Sequence, residues 1–68
     1  MPYEISKTSR LLNKEIRNSG IREIMNGMIV GLERNGVRIL NPDANICIQE
    51  NDLLWIVSDN HRKLKEFI

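Results

Sequence analysis

The clearest pattern in the chain runs from Met28 to Pro42, where two apolar-rich stretches, Met28 to Leu32 and Val37 to Leu40, flank Asn35-Gly36. Asn-Gly between such stretches predicts a β-hairpin closed by a type I′ turn, because both central residues of that turn need positive φ. Counting outward from the turn gives the register. Arg34 faces Val37, Glu33 faces Arg38, Leu32 faces Ile39, Gly31 faces Leu40, and Ile29 reaches Pro42. Opposite charges then meet on one face and an apolar pair on the other. A slip of one residue would turn every side chain over, so this agreement supports the register.

The remaining pattern is shorter-ranged. Pro2-Tyr3-Glu4-Ile5 alternates and predicts a first strand, placed at a sheet edge because Pro2 has no N–H for a ladder. Leu12, Ile16, Ile21, Ile24 and Met25 fall at spacings that suit helical turns. The expectation is a broken helix: Lys14 to Ser19, capped by Asn13 and stopped at Gly20, then a looser turn from Ile21 to Met25, stopped at Asn26-Gly27. Ile46-Cys47-Ile48 reads as a brief extended segment between two turns. Leu53 to Val57 is apolar without a break, the pattern of a central strand covered on both faces. Ser58 or Asp59 caps a final helix whose inward stripe is His61, Leu64, Phe67 and Ile68. The order strand, helix, hairpin, strand, helix predicts a small α+β domain, with a mostly antiparallel sheet and the helices on one face.

Length and charge narrow the classes. A chain of 68 residues is one small domain, and at that size only about 60% of the unfolded surface is buried, which favours a partner chain. The net charge of +1 comes from 10 basic and 9 acidic residues spread along the sequence, so no basic field marks a nucleic-acid partner. One cysteine allows no disulfide framework. No apolar run approaches the roughly 20 residues of a membrane-spanning helix, and the polar start is unlike a signal peptide.

Candidate chemistry is sparse. Cys47 between two isoleucines reads as a buried inert thiol, and His61 has no second ligand at metal-binding spacing. Asp43, Glu50, Asp52 and Asp59 sit at turns or caps, where carboxylates have structural roles. Trp55 reads as core or subunit interface ahead of a stacking platform. Neither a catalytic constellation nor a metal site is predicted, and so no enzyme. Three features are more suggestive. Arg22 is either a solvated helix-face arginine or an anion-binding fork. Gly31, in mid-strand, marks either a bulge or the close approach of a ligand or backbone. Asn41-Pro42 is a turn whose released backbone groups can line a pocket.

The runs Gly20-Ile21-Arg22-Glu23, Met28 to Gly36, Ile39-Leu40-Asn41-Pro42 and Asn51 to Val57 together resemble the RCK-C domain, also called TrkA-C. That family's pattern is a loose helix, a strand ending in an Ile-x-Arg-x-Gly hairpin, a proline after the return strand, a Gly-Asp-x-Leu turn into the last strand and a closing helix. The chain departs from it at Asn51 and Asn13, where the family commonly has glycine, and at Ser58, after the last strand. Asparagine tolerates left-handed backbone, so the first two leave the fold intact. In its wording the chain is most similar to the C-terminal domain of Kef-type cation:proton antiporters.

The resemblance implies that residues 1–68 are one regulatory domain of a larger membrane transport protein, on the cytoplasmic side of the membrane. It implies a homodimer that couples ligand binding to potassium or sodium movement. In some members cyclic di-AMP sits between two subunits. Arg22 falls where those members use an arginine, and Ile29 and Pro42 fall near apolar pocket positions. Met28 stands where a polar residue often contacts the ligand. The candidate ligand-binding set is therefore Arg22, Met28, Ile29, Gly31, Asn41 and Pro42, with no cofactor beyond a cyclic dinucleotide ligand. The alternative is a dimerisation module that binds nothing small.

Overall fold

The computed structural model describes residues 2–68. Its strands are β1 (Pro2–Glu4), β2 (Met28–Arg34), β3 (Val37–Leu40) and β4 (Leu53–Val57), and its helices are α1 (Ile21–Met25) and α2 (His61–Phe67). The strands form one antiparallel sheet in the order β1-β4-β2-β3. Pro2 thus lies on an edge strand and β4 is central, as the sequence predicts.

The hairpin has the expected register from Arg34–Val37 to Gly31–Leu40. Asn35 and Gly36 have φ of 52° and 78°, as a type I′ turn requires. Beyond Leu40, the Asn41 N–H still donates to the Val30 carbonyl at 2.9 Å. The ladder ends there and does not extend to Ile29 and Pro42. On its other side β2 carries a bulge: Ile29 opposes Ile56, Gly31 opposes Trp55, and Val30 is the extra residue. A bulge restarts the alternation of faces. Ile29 and Leu32, three residues apart, therefore both point into the core.

That core lies on one face of the sheet, where Leu32, Leu54 and Ile56 pack with Ile21 and Met25 of α1, Leu64 of α2, and Ile5, Leu11 and Ile48 from loops. The central strand is covered on this face alone. Leu54 and Ile56 are buried, while Leu53 and Trp55 are half-buried and Val57 is exposed. A continuous apolar run therefore did not mean two covered faces. On the open face Arg38 lies 5.0 Å above the Trp55 ring and pairs with Glu33 at 3.5 Å.

Between β1 and β2 the chain differs from the expected broken helix. Ile16–Asn18 is a single 3₁₀ turn, and the regular helix is the segment read as a loose turn, Ile21–Met25. Gly20, at φ 82°, reverses the chain between them. The Ser19 hydroxyl fixes this corner by donating to the Ile16 carbonyl at 2.8 Å and accepting from the Ile21 N–H. Asn13 makes no cap; its N–H donates to the Ile48 carbonyl at 2.7 Å. At α2 the cap is Asn60, whose side chain accepts from the Lys63 N–H, and not Ser58 or Asp59. His61 faces away from the core and meets the Tyr3 hydroxyl through Nδ1 at 2.9 Å. Cys47 is exposed, because it lies on an outer bridge to Glu15 and not in a sheet interior.

One ion pair ties the turn end of the hairpin to the start of β4. The Asp52 carboxylate is 1% exposed and accepts from Arg34 Nε at 2.9 Å, Arg34 Nη2 at 2.8 Å and the Gln49 N–H at 2.8 Å. Arg34 also donates to the Cys47 carbonyl. Hydrogen bonding to Asp52 raises the already high pKa of Arg34; its partial burial pulls the other way, and the Asp52 charge adds to the rise.

Candidate functional site

The segment 43–47 is zipped onto the 3₁₀ turn. The Ile16 N–H donates to the Ile46 carbonyl and the Arg17 N–H to the Ala44 carbonyl, each at 3.0 Å. Asp43 shapes this strip by accepting the Asn45 N–H at 2.8 Å. Between the strip, α1 and the start of β2 lies a cleft of about 250 Å³. Its apolar lining is Ile16, Ile21, Met28, Ile29 and Ala44, and its charged lining is Arg17, Arg22 and Glu23.

The cleft gathers three of the six candidate residues, Arg22, Met28 and Ile29. Arg22 and Met28 are exposed and Ile29 forms the buried floor. Gly31 is elsewhere: it lines a separate hollow on the open face of the sheet with Val30, Arg38, Leu40 and Trp55. A Cβ there would meet Trp55 Cβ and Cε3 at 3.6 and 3.7 Å, ordinary contact distances, so the indole beside it does not require glycine at this position. Pro42 is buried and Asn41 is exposed with φ 51°, and neither lines the cleft or the hollow. Their turn precedes Ala44, which does line the cleft. The bulge belongs to Val30, one residue from Gly31.

Arg17, Glu23 and Gly27 also line the cleft and were not singled out in the sequence. Arg17 could have been found only by knowing that residues 44–46 fold back on it, a pairing with no local signature. Gly27 is the glycine that a close approach requires. A Cβ at that position would stand 3.1 Å from Ile21 Cγ2 and 3.2 Å from the Val57 carbonyl oxygen.

A family model described as the TrkA-C domain matches residues 2–68. The chain belongs to the TrkA-C family. Among solved structures, the RCK_C domain dimer of S. agalactiae BusR in complex with c-di-AMP superposes with a TM-score of 0.81 at 28% identity, covering 97% of this chain and 92% of that one. S. agalactiae BusR in complex with its busAB-promoter DNA is similar at 28% identity and a TM-score of 0.80, and here the TrkA-C chain spans only 34% of the larger protein. The RCK C domain of the potassium transport protein KtrA, in complex with c-di-AMP, shares the fold at 23% identity with a TM-score of 0.79, covering 98% of this chain and 81% of that one. No curated protein matches the sequence.

Within the TrkA-C pattern, the hairpin arginine and the turn aspartate are now a single feature. They are Arg34 and Asp52, bonded through two N–H···O contacts. The asparagines at departures from the pattern, Asn13 and Asn51, have φ of 65° and 73°, so they occupy left-handed backbone in place of glycine. Among the described residues no group of three or more His, Cys, Asp or Glu is placed to hold a metal ion, and no helix is long and apolar enough to cross a membrane.

Proposed function

We propose that this TrkA-C domain senses an anionic nucleotide, of the cyclic di-AMP class, at the interface between two copies of itself. The supporting observation is the size of the cleft. At about 250 Å³ it lies just below the roughly 300–1,000 Å³ typical of ligand pockets, so one copy alone offers little room for a dinucleotide. Two clefts facing each other across a two-fold axis supply that room, as isologous pairing requires. The surroundings suit a second copy. Ile24 on α1 is 66% exposed, and Met28 and Val57, cross-strand partners, are 60% and 61% exposed. The BusR neighbour was solved as a dimer in complex with c-di-AMP, in agreement with this reading.

In this reading the cleft includes Arg22, Met28 and Ile29, while Asn41 and Pro42 act by shaping the turn and Gly31 belongs to the open sheet face. The domain acts within a larger protein, a cation:proton antiporter or related potassium or sodium transport system, from the cytoplasmic side. Ligand binding biases transport by favouring one arrangement of the dimer, to the extent that it binds that arrangement better. Nucleic acid is not its partner, although a DNA complex of the larger BusR protein contains a similar domain.

Calorimetric titration with cyclic di-AMP, combined with sedimentation, tests the proposal. The expected result is one ligand per two chains and a loss of affinity for Arg22→Ala with no loss of folding. A stable dimer that binds neither cyclic di-AMP nor other nucleotides would establish a dimerisation module in place of a sensor.

A further inference from the structure

The cleft holds a second arginine, and its placement has a consequence for charge. Arg17 is exposed, yet it is held at both ends. Its backbone N–H donates to the Ala44 carbonyl and its Nη2 donates to Asn45 Oδ1, while Asn45 is itself fixed by Asp43. Ordering a long side chain in advance removes part of the entropy that ligand binding would otherwise cost. Among the described residues the ion pairs are Arg34–Asp52 and Arg38–Glu33, and Arg17 and Arg22 are in neither.

Three charged side chains line the cleft: Arg17, Arg22 and Glu23. Arg22 and Glu23 alone cancel, so Arg17 gives the cleft its net single positive charge. We propose that Arg17 is the second anion-holding side chain of this cleft, and that it makes the paired site select ligands with one anionic group in each half. This rests on the shared-site reading above. Two facing clefts then carry two net positive charges, which matches a ligand with two phosphodiester groups. Without Arg17 the paired site would be neutral and would hold such a dianion through Arg22 against two opposing carboxylates. A planar guanidinium presents paired N–H donors that suit phosphate oxygens, and binding Asn45 uses only part of that fork.

The test is calorimetric titration of the full chain with cyclic di-AMP at two salt concentrations, for wild type, Arg17→Ala, Arg17→Lys, Arg22→Ala and Glu23→Gln. Thermal melts without ligand report folding. Arg17→Ala is expected to bind about a hundredfold more weakly, because the shared ligand loses one charged contact, of about tenfold, from each copy. Its affinity should fall less steeply with salt than that of the wild type, since fewer charges meet the ligand. A purely structural role would leave that slope unchanged. Arg17→Lys should recover part of the affinity by keeping the charge, and Glu23→Gln should bind more tightly. Wild-type affinity and salt slope in a folded Arg17→Ala would overturn the inference, and if Arg22→Ala still weakens binding, the shared-site reading survives it. Should Arg17→Ala melt early, Arg17→Lys and Glu23→Gln decide: affinities unmoved by either variant overturn the inference. Absence of binding by the wild type overturns both.

Discussion

Replacing Arg34 with methionine isolates the energetic role of the ion pair between the hairpin and β4. Asp52 is 1% exposed and accepts three N–H donors, two of them from Arg34. Arg34→Met leaves the carboxylate in place with only the Gln49 N–H. Stranding one member of a buried pair costs about 3–5 kcal/mol. Arg34 is itself 29% exposed, so water can reach the space its guanidinium vacates, and the expected loss is at the lower end, about 3 kcal/mol. Domains hold roughly 0.05–0.15 kcal/mol per residue, or about 3–10 kcal/mol for this length, so the substitution consumes a large share of the total. Asp52→Asn should cost less, about 1–2 kcal/mol, because the amide oxygen still accepts a hydrogen bond and the cation left behind is partly in water. Urea unfolding followed through Trp55, the single tryptophan, measures both. With a slope of about 1 kcal/mol per molar for a small domain, Arg34→Met should lower the midpoint by roughly 3 M. An Arg34→Met chain within about 1 kcal/mol of wild type, or one less destabilised than Asp52→Asn, would refute the claim that a buried carboxylate depends on this arginine.

Further outcomes follow from local geometry. Gly27→Ala should destabilise by about 1–3 kcal/mol, because its Cβ has no room between Ile21 and the Val57 carbonyl, whereas Gly31→Ala should be neutral or stabilise by up to about 1 kcal/mol; thermal or urea melts compare them. Asn51→Ala should cost about 1 kcal/mol from its left-handed backbone and Asn51→Gly little, as equilibrium unfolding will show. Asn60→Ala should remove the cap of α2 at a cost of about 1 kcal/mol, with faster amide hydrogen exchange confined to His61–Phe67. The Arg34 guanidinium pKa is raised in the folded chain, so the pair's contribution is fully present below the unfolded arginine's pKa and is lost only as pH rises through the folded one. Stability from this pair should therefore be flat from neutral pH to pH ~10, read as a constant difference between wild type and Arg34→Met.

What the sequence determined by itself is what neighbouring residues decide together. Asn35-Gly36 set the hairpin and its register, because positive φ at two adjacent positions admits few turns. Pro2 put the first strand at an edge by lacking a donor, and the asparagines stood in for glycines by tolerating the same backbone. The resemblance of these runs in order identified the family. Tertiary structure decided everything that depends on contact between distant segments. The bulge at Val30 realigned β2 so that Ile29 and Leu32 share the core, which the hairpin register alone could not specify. Leu53–Val57 has one open face because both helices pack on the other. Cys47 is exposed because its segment pairs with residue 15 outside the sheet. For the candidate site the division is the same. Arg22, Met28 and Ile29 lie close in sequence and meet in the cleft, while Gly31, two residues on from Ile29, points into a different hollow because the bulge intervenes. Arg17 joins the cleft only because residues 44–46 fold onto the 3₁₀ turn, and the hydrogen bonds that hold it there span almost thirty residues of chain.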